Sequence, residues 1–324
     1  MYNEFTFTAI VLLVVCAALT VLNLLCSSLV SLLFGIRFGR AFCWGLLSLL
    51  LPAGAMAWGL LVERNLVKVN SVELFFDSLP ESFDGYRIAH ISDIHSRSFR
   101  GRTGAMGRAV AKLNSLHADL VAFTGDLITV SPGELDLTGP SLKAISAPDG
   151  VVSILGNHDY CTHIKGSIGE PDAEGLAELE RRERALGWRL LLNESISLKR
   201  GSDSLTIVGV ENWSRSFHFP STGDLAKASA GTEGNFRILL THDPTHWDSE
   251  VLGKDYPLTL CGHTHAAQTS LFGWSPSKYV FKRYRGLYEE NGQYLYVNIG
   301  LGQTAYPVRI GTVPEITLIT LRRK

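Results

Sequence analysis

The N-terminal part of this 324-residue chain contains two long stretches without a charged side chain, Phe5–Ile36 and Ala41–Val62. Each stretch exceeds the roughly 20 apolar residues that a helix needs to cross a bilayer. The sequence therefore predicts a membrane anchor over residues 1–62, with two transmembrane helices at about 7–36 and 41–62. Membrane lipids are then expected partners of this part of the chain.

A signal peptide and a pair of buried core helices are the alternatives to an anchor. The N-terminus, MYNEFTF, lacks the basic region of a signal peptide, and the first stretch is too long for a signal core. A charge-free run of about thirty residues is also unusual in a soluble fold. Weakly polar residues of the first helix are expected to face the second: Asn23, Cys26, Ser27 and Ser28.

The sequence does not determine the side of the membrane. Arg37 and Arg40 lie between the spans, and Arg64 and Lys68 follow the second span. The positive charges are therefore nearly balanced across the bilayer. We expect a two-span membrane protein, in the inner membrane if the chain is bacterial. The net charge of -1 gives no indication of a nucleic-acid partner.

The residue composition of the chain changes after the second span. Residues 63–86 are predicted to be a linker and an opening strand, because they combine strand-forming residues with a turn containing Pro and Gly. Five short apolar runs that end at polar residues then indicate buried strands: RIAHI, DLVAFT, VVSIL, FRILL and PLTLC. Helical patterns in GAMGRAVAKLNSLHA and at Glu174–Leu186 predict an α/β fold with layered sheets. Cys161 and Cys261 in this part could pair in a disulfide, but two cysteines form no disulfide framework, so both are expected to be buried and reduced.

Polar side chains follow these five strands, and they include five of the ten histidines. Ligands bind at the carboxyl ends of strands in such sheets. One histidine or aspartate alone is commonly a hydrogen-bonded structural residue or a cap, but five successive strand ends indicate a site. The candidate residues are Asp93, His95, Asp126, Asn157, His158, His242, His263 and His265.

The residue types indicate what this site binds. Imidazole and carboxylate groups without thiolates suit Mn, Fe, Co or Zn, whereas a structural zinc site has four ligands, usually including Cys. Eight candidates are too many for one ion and suit two, which act in phosphoryl chemistry about 3.5–4 Å apart. His263 and His265 are two positions apart, so in extended backbone both point to one face. A shared carboxylate is the natural bridge between two ions.

The chain resembles the calcineurin-like metallophosphoesterases through five motifs in sequence order: D-x-H at Asp93, G-D at Gly125, G-N-H-D at Gly156, a later His242, and G-H-x-H at Gly262. The resemblance implies a four-layer α/β/β/α sandwich over residues 87–324. It also implies a bridging water or hydroxide as the nucleophile. The implied ligands are Asp93, His95 and His265 for one ion, Asn157, His242 and His263 for the other, and Asp126 as the bridge.

The same resemblance implies a catalytic role for His158, which follows a ligand and would lie close to the leaving group. It would protonate the leaving oxygen or stabilise its charge. Asp159 is expected to orient His158, and His163 is a nearby polar residue for which a structural role is favoured.

The segments VNIGLGQTAYPVRIGTVPEITLITL and LPESFDGYRIAHISDIH resemble the branch containing the YaeI and YkuE bacterial phosphodiesterases. This branch is similar to a chlamydial-type hydrolase of UDP-2,3-diacylglucosamine. The better-known lipid A hydrolases have Arg after the ligand Asn, where this chain has His158. A lipid-linked substrate is therefore one option among several.

Two features close to the motifs have open interpretations. Four arginines in the loops Ser96–Gly104 and Ser214–Gly223 either bind a phosphate or are solvated: Arg97, Arg100, Arg102 and Arg215. The Gly300–Gly302 segment either turns towards the metals or ends a strand.

Together these features predict a membrane-anchored, dinuclear, metal-dependent phosphoesterase that hydrolyses phosphodiester or pyrophosphate bonds rather than monoesters. The alternative is a catalytically silent metal-binding scaffold or sensor at the membrane. Such a protein would be expected to have lost metal ligands or the His of G-N-H-D, and all are present. A transporter is disfavoured, because two spans without internal charge provide no ion pathway.

Overall fold

The computed structural model describes residues 4–162 and 171–324, so His163 lies outside the described residues. The first apolar stretch is one helix, α1 (Glu4–Phe34). The second is interrupted: α2 (Phe38–Gly45) and α3 (Leu50–Leu61) are joined by a tighter 3-10 turn at Leu46–Leu49. Both segments are long and apolar enough to cross a membrane.

Weakly polar groups join the two apolar segments, as expected for helices packed in lipid. The Asn23 amide donates to the carbonyl of Phe42 at 3.0 Å, and Ser27 donates to the Asn23 side chain at 3.1 Å. Asn23 and Ser27 are buried, whereas Cys26 and Ser28 are exposed. The prediction that all four residues face the second segment is therefore wrong for Cys26 and Ser28.

The soluble part contains two six-stranded sheets. The first has the order β1-β12-β2-β3-β4-β5, in which β2, β3 and β4 are parallel. Its strands are β1 (Lys68–Phe76), β2 (Arg87–Ile91), β3 (Leu120–Phe123), β4 (Val151–Ser153), β5 (Arg189–Leu190) and β12 (Glu315–Arg323). The opening strand predicted within residues 63–86 is β1, which pairs along its length with β12.

The second sheet has the order β10-β11-β9-β8-β7-β6, in which β7, β8 and β9 are parallel. Its strands are β6 (Glu194–Arg200), β7 (Asp203–Gly209), β8 (Phe236–Leu240), β9 (Leu258–Cys261), β10 (Gly286–Glu290) and β11 (Gln293–Val297). Leu258 and Leu260 of this sheet pack against Ile88 and Leu120 of the first, so an apolar core fills the space between the sheets.

Helices cover the outer faces of both sheets. On the first sheet, α4 (Thr103–Asn114), α5 (Leu135–Leu142) and α6 (Ala173–Ala185) contribute residues such as Met106 and Leu179 to an outer core. On the second, α7 (Leu225–Ala228) and a helical turn at Trp247–Val251 have the same role. The predicted four-layer α/β/β/α architecture is confirmed. Cys161 and Cys261 are both buried free thiols.

The end of α3 is attached to the two-sheet part of the chain. Gly59 packs so closely that an added Cβ would lie 2.5 Å from the carbonyl of Arg309 and 2.6 Å from Val308. The Glu63 carboxylate accepts from the Thr312 amide at 2.7 Å. Arg102, which the sequence suggested as a phosphate ligand, donates to the carbonyl of Arg64 at 3.0 Å. Partly buried Arg102 therefore holds the end of the second apolar segment against the sheets.

Candidate metal centre

The predicted ligands meet where the carboxyl ends of strands from both sheets converge. Parallel strands place their carboxyl ends at one edge, and the two sheets present these edges to each other. Strands β2, β3 and β4 supply the first group: Asp93, His95, Asp126, Asn157 and His158. Strands β8 and β9 supply the second group: His242, His263 and His265.

One cluster contains Asp93, His95 and His265, all buried. The Nε2 atoms of the two imidazoles are 3.1 Å apart, and His265 Nε2 lies 3.3 Å from Asp93 Oδ1. Three donor atoms that converge on one point form a cation site when their side chains contribute lone pairs.

The second cluster contains Asp126, His242 and His263, and a further group of possible ligands, His95, Asp126 and His158, overlaps both clusters. His242 Nε2 lies 3.2 Å from Asp126 Oδ2 and 3.2 Å from His263 Nδ1. The same Asp126 Oδ2 atom lies 3.5 Å from His95 Nε2 of the first cluster. Asp126 is thus placed between the two clusters.

Asn157 provides a direct test of whether the pocket fits a cation. Its Oδ1 atom is buried and has no hydrogen-bond partner within residues 4–162 and 171–324. An unpaired buried acceptor is unfavourable by about 1–3 kcal/mol. A cation would satisfy it, so the residues present fit the divalent metals that this set of donors prefers.

The backbone at the site adopts conformations that are uncommon for residues other than glycine. Five of the predicted ligands have positive φ angles between 44° and 75°: Asp93, His95, Asp126, His263 and His265. Such backbone strain concentrates at functional sites, where the surrounding fold enforces it. The directions of these side chains are therefore set by tertiary structure rather than by local backbone preference.

Two glycines allow these loops to approach each other. A Cβ at Gly156 would lie 2.3 Å from Asp126 Oδ1, so a larger residue would displace the Asp126 carboxylate. At Gly300, where φ is +80°, a Cβ would lie 2.6 Å from the Asp93 Cβ. The Gly302 amide donates to the carbonyl of Asp93 at 2.8 Å. Of the two interpretations of Gly300–Gly302, the structure favours the turn that approaches the site.

Backbone carbonyls fix the tautomers of two histidines. His242 Nδ1 lies 2.7 Å from the carbonyl of Thr124, and His158 Nδ1 lies 2.9 Å from the carbonyl of Thr129. A carbonyl only accepts, so each Nδ1 carries the proton and each Nε2 keeps its lone pair in the neutral ring. His242 Nε2 then faces Asp126.

Asp159 is placed differently from the prediction. Its fully buried carboxylate accepts four backbone N–H groups, those of Asp126, Leu127, Ile128 and Gly156, at 2.8–3.2 Å. These bonds hold the loop after β3 against the loop after β4. Asp159 is therefore a positioning residue for Asp126, whereas the orientation of the His158 ring comes from the Thr129 carbonyl.

In the centre, neighbouring charges and burial have opposite effects on several pKa values. Burial favours the neutral form of Asp126, but His242 and the other histidines hold its pKa well below the ordinary value. Burial would lower the pKa of His242, yet Asp126 and Asp93 together raise it to about 10. Burial lowers the pKa of His95 to about 3 and raises that of Asp93 to about 6, with Asp126 contributing. The Asp126 carboxylate therefore favours the protonated form of His242.

The mouth of the site contains aromatic groups that sequence reasoning missed. The ring centroids of Phe219 and Phe281 each lie 5.5 Å from that of His263, and both contacts are edge-to-face. Exposed Arg215 lines a groove of about 300 Å³ together with Thr245 and Lys282. Exposed Arg100 and half-buried Arg97 lie on a different loop, the one that follows β2. Motif spacing gives no signal for the two phenylalanines, because their neighbours come from distant segments.

Comparison with known proteins identifies the class. The profile of the calcineurin-like phosphoesterase family matches residues 86–267. The chain is 32% identical over 288 residues to a transmembrane protein with metallophosphoesterase domain from Danio rerio, covering 86% of this chain and 62% of that protein. This chain belongs to the calcineurin-like phosphoesterase family, and the predicted resemblance is confirmed.

Two bacterial relatives are similar over most of their own length. The uncharacterized metallophosphoesterase YkuE of Bacillus subtilis is 28% identical, over 84% of this chain and 92% of YkuE. The UDP-2,3-diacylglucosamine pyrophosphatase LpxG of Chlamydia trachomatis is 27% identical, over 83% of this chain and 93% of LpxG. The chain is thus a metal-dependent hydrolase of phosphoester bonds in the YkuE-like branch. The apolar helices and the relatives named as transmembrane proteins indicate association with a membrane.

Proposed function

We propose that this protein is a membrane-anchored, dinuclear phosphoesterase that hydrolyses phosphodiester or pyrophosphate bonds. The observation that supports two ions is the position of Asp126, whose Oδ2 atom faces His95 of one cluster and His242 of the other. Residues 1–62 would be the anchor, and the two sheets would form the catalytic domain.

The proposed ligands follow the two clusters, with Asn157 added because of its unpaired Oδ1 atom. Asp93, His95 and His265 would hold one ion, and Asn157, His242 and His263 the other, with Asp126 shared. Manganese, iron, zinc and cobalt all suit these donors. When bound, the ions supply an activated water and offset the negative charge that develops on the phosphate.

The chain's own residues contribute proton transfer and charge stabilisation. His158 is half-buried, and its Nδ1 lies 2.9 Å from the Thr129 carbonyl, which orients the ring. A protonated Nε2 would donate to the leaving oxygen as the bond to phosphorus breaks. The His158 amide donates to Asp126 Oδ1 at 2.8 Å, which keeps the imidazole beside the shared carboxylate.

A lipid-linked substrate is consistent with the anchor and with the printed activity of LpxG. We propose amphiphilic diphosphates such as UDP-2,3-diacylglucosamine as the first compounds to test. Arg215 in the groove beside the site would contact the anionic part of such a substrate, whereas Lys282 in the same groove lies 3.3 Å from Asp248.

The test uses the full chain in detergent, stripped of metal and resupplied with manganese. Bound metal and hydrolysis of bis-p-nitrophenyl phosphate are measured together, with p-nitrophenyl phosphate as the monoester comparison. About two metals per chain and metal-dependent diester hydrolysis are expected. Turnover of the monoester alone would refute the preference for diesters, and one metal per chain would refute the dinuclear centre.

The alternative role, a silent metal-binding scaffold, predicts metal uptake without turnover on any member of a panel that includes UDP-2,3-diacylglucosamine. The retention of His158 beside both clusters argues against it, because a scaffold needs no proton donor.

A further inference from the structure

An exposed apolar loop lies between β9 and β10, directly after the last metal ligand. It contributes five large side chains to the surface, which we call the apolar rim: Leu271, Phe272, Trp274, Tyr279 and Val280. Soluble monomers rarely expose so many neighbouring apolar groups, so a rim of this kind indicates a contact surface.

The charge of the surrounding segment indicates the kind of partner. Residues 269–288 contain no Asp or Glu and carry the basic residues Lys278, Lys282 and Arg285. A fourth, Arg283, is buried and ion-paired with Asp248 and Glu290, and Lys282 lies 3.3 Å from Asp248. Lys278 is exposed and lies over the Tyr279 ring, 5.1 Å from its centroid. Exposed aromatic and apolar groups beside basic ones match the interface of a bilayer that contains anionic lipids.

The rim is attached to the end of the membrane segment by a short path. Gly59, in the last turn of α3, lies against the segment Val308–Ile310. The Ile310 carbonyl accepts from the Ser270 amide at 2.7 Å, and Leu271 is the next residue. One packing contact and one hydrogen bond therefore separate the membrane segment from the rim.

These contacts limit how far the rim lies from the bilayer surface. If the segment Phe38–Asn65 crosses a bilayer, the last turn of α3 lies at the bilayer surface. Exposed Trp58 in this turn fits that level, where tryptophan is enriched. Because one residue extends the chain by at most about 3.6 Å, Leu271 and Phe272 lie close to the same level.

The other end of the rim reaches the metal centre. Phe281, which follows Val280, packs against the His263 ring at 5.5 Å. The Ser275 hydroxyl donates to the carbonyl of Ala266 at 2.7 Å and ties the loop to the residue after His265. The rim thus extends from the membrane segment to the mouth of the site.

We propose that the apolar rim inserts into the interfacial layer of the bilayer that holds the N-terminal helices. The metal centre then opens at the membrane surface rather than towards bulk water. This inference rests on membrane association and does not depend on the proposed reaction, because it concerns where the loop lies.

The test measures the depth of one rim residue in the full chain. Cys16, Cys26 and Cys43 are replaced by Ala, Phe272→Cys is labelled with an environment-sensitive fluorophore, and the protein is reconstituted into phosphatidylcholine–phosphatidylglycerol vesicles. Spin-labelled lipids then quench a fluorophore that is in the bilayer. We expect a blue-shifted emission and strong quenching at position 272, and the same at Trp274→Cys.

The matched control is Ser202→Cys, an exposed position in the β6–β7 turn at the amino end of β7, opposite the metal centre. It should remain unquenched. Equal, weak quenching at 272 and 202 would overturn the proposal. A blue shift at 272 without lipid quenching would also overturn it, since protein, such as a second copy, would then cover the rim. Failure of the protein to float with the vesicles would remove its premise.

Discussion

The backbone amide of His263 lies 3.1 and 3.0 Å from the two carboxylate oxygens of Asp93. The two residues belong to loops of different sheets, and the loop that carries His263 in the second cluster also supplies His265 to the first cluster, beside Asp93. The imidazole of His263 faces His242 while its amide fixes Asp93. This contact therefore couples the two halves of the metal centre, and the glycine before it permits the approach: a Cβ at Gly262 would lie 2.2 Å from Asp93 Oδ2.

Asp126→Asn should be more damaging than Asp93→Asn. The Asp126 carboxylate faces both clusters, whereas Asp93 belongs to one. We expect Asp126→Asn to lose both metals and to reduce turnover by more than about 100-fold, beyond the effect typical of an outer-shell partner. Metal content by mass spectrometry and diester hydrolysis measure this. Equal metal content and equal rates in the two variants would contradict a shared carboxylate.

His158→Ala should separate turnover from metal binding. The backbone amide that donates to Asp126 is kept in this variant, so metal content should stay near that of the wild type. Loss of the proton donor should lower kcat by about 10²–10⁴-fold. His117→Ala, at an exposed position before β3, is the control and should behave as wild type. A metal-loaded His158→Ala protein with full kcat would exclude the proposed role.

Asp159→Asn should weaken the fold as well as the centre. The side-chain NH₂ group of the new Asn would face two of the four backbone N–H groups that now donate to the carboxylate. Those two N–H groups would lose their acceptor. At about 1–3 kcal/mol for each buried donor, the free energy of unfolding should fall by about 2–6 kcal/mol. Urea unfolding of the metal-free chain measures it, with exposed Asp136→Asn as the control. Equal stability of the two variants would show that these bonds contribute little.

The free energy of unfolding should fall as the pH rises, because of Glu183. Burial, with the nearby charge of Asp159, raises the pKa of this carboxyl to about 8, whereas an unfolded glutamate titrates near about 4.3. Between these values the native state holds one more proton, so the free energy of unfolding falls as pH rises, by up to about 1.4 kcal/mol per unit. Glu183→Gln should flatten this slope in unfolding curves at pH 5–8. An unchanged slope would assign it to another group.

Metal binding should release protons. In the metal-free centre Asp126 and Asp93 outweigh burial and raise the pKa of His242 to about 10, so this imidazole is protonated at neutral pH. A ligand imidazole must be neutral, so the affinity for manganese should rise by about tenfold per pH unit below that value. Calorimetry at pH 7.5 in buffers of different ionisation enthalpy counts the released protons. Binding without proton release, or with the same release in His242→Ala, would contradict this assignment.

The strand-end pattern predicted much of the centre because the rule behind it is geometric. Apolar runs such as Arg87–Ile91 form buried strands, and parallel strands bring their carboxyl ends together. The polar residues after each run then meet, whichever loop they occupy. The helix predicted at Glu174–Leu186 is present as α6, Ala173–Ala185.

Other features depended on contacts between distant segments. Asp159 was predicted beside His158 from its place in G-N-H-D, but its oxygens turn towards the amides after β3. The guanidinium of Arg309, which donates to the carbonyls of Ile299 and Thr312 behind the site, carries no motif. The break between α2 and α3 was also missed, since hydropathy does not distinguish a continuous helix from an interrupted one.

The position of β12 between β1 and β2 has a consequence for biosynthesis. Protein synthesis proceeds from the N-terminus, so α1–α3 and the ligand at position 93 leave the ribosome long before residues 315–323 do. Until that strand is inserted, β2 lacks its antiparallel neighbour and β1 has no partner in the sheet. The nascent polypeptide can therefore be delivered to the membrane before its sheet closes. The first sheet, which positions Asp93 and His95 after β2, is therefore completed only after β12 has been synthesised.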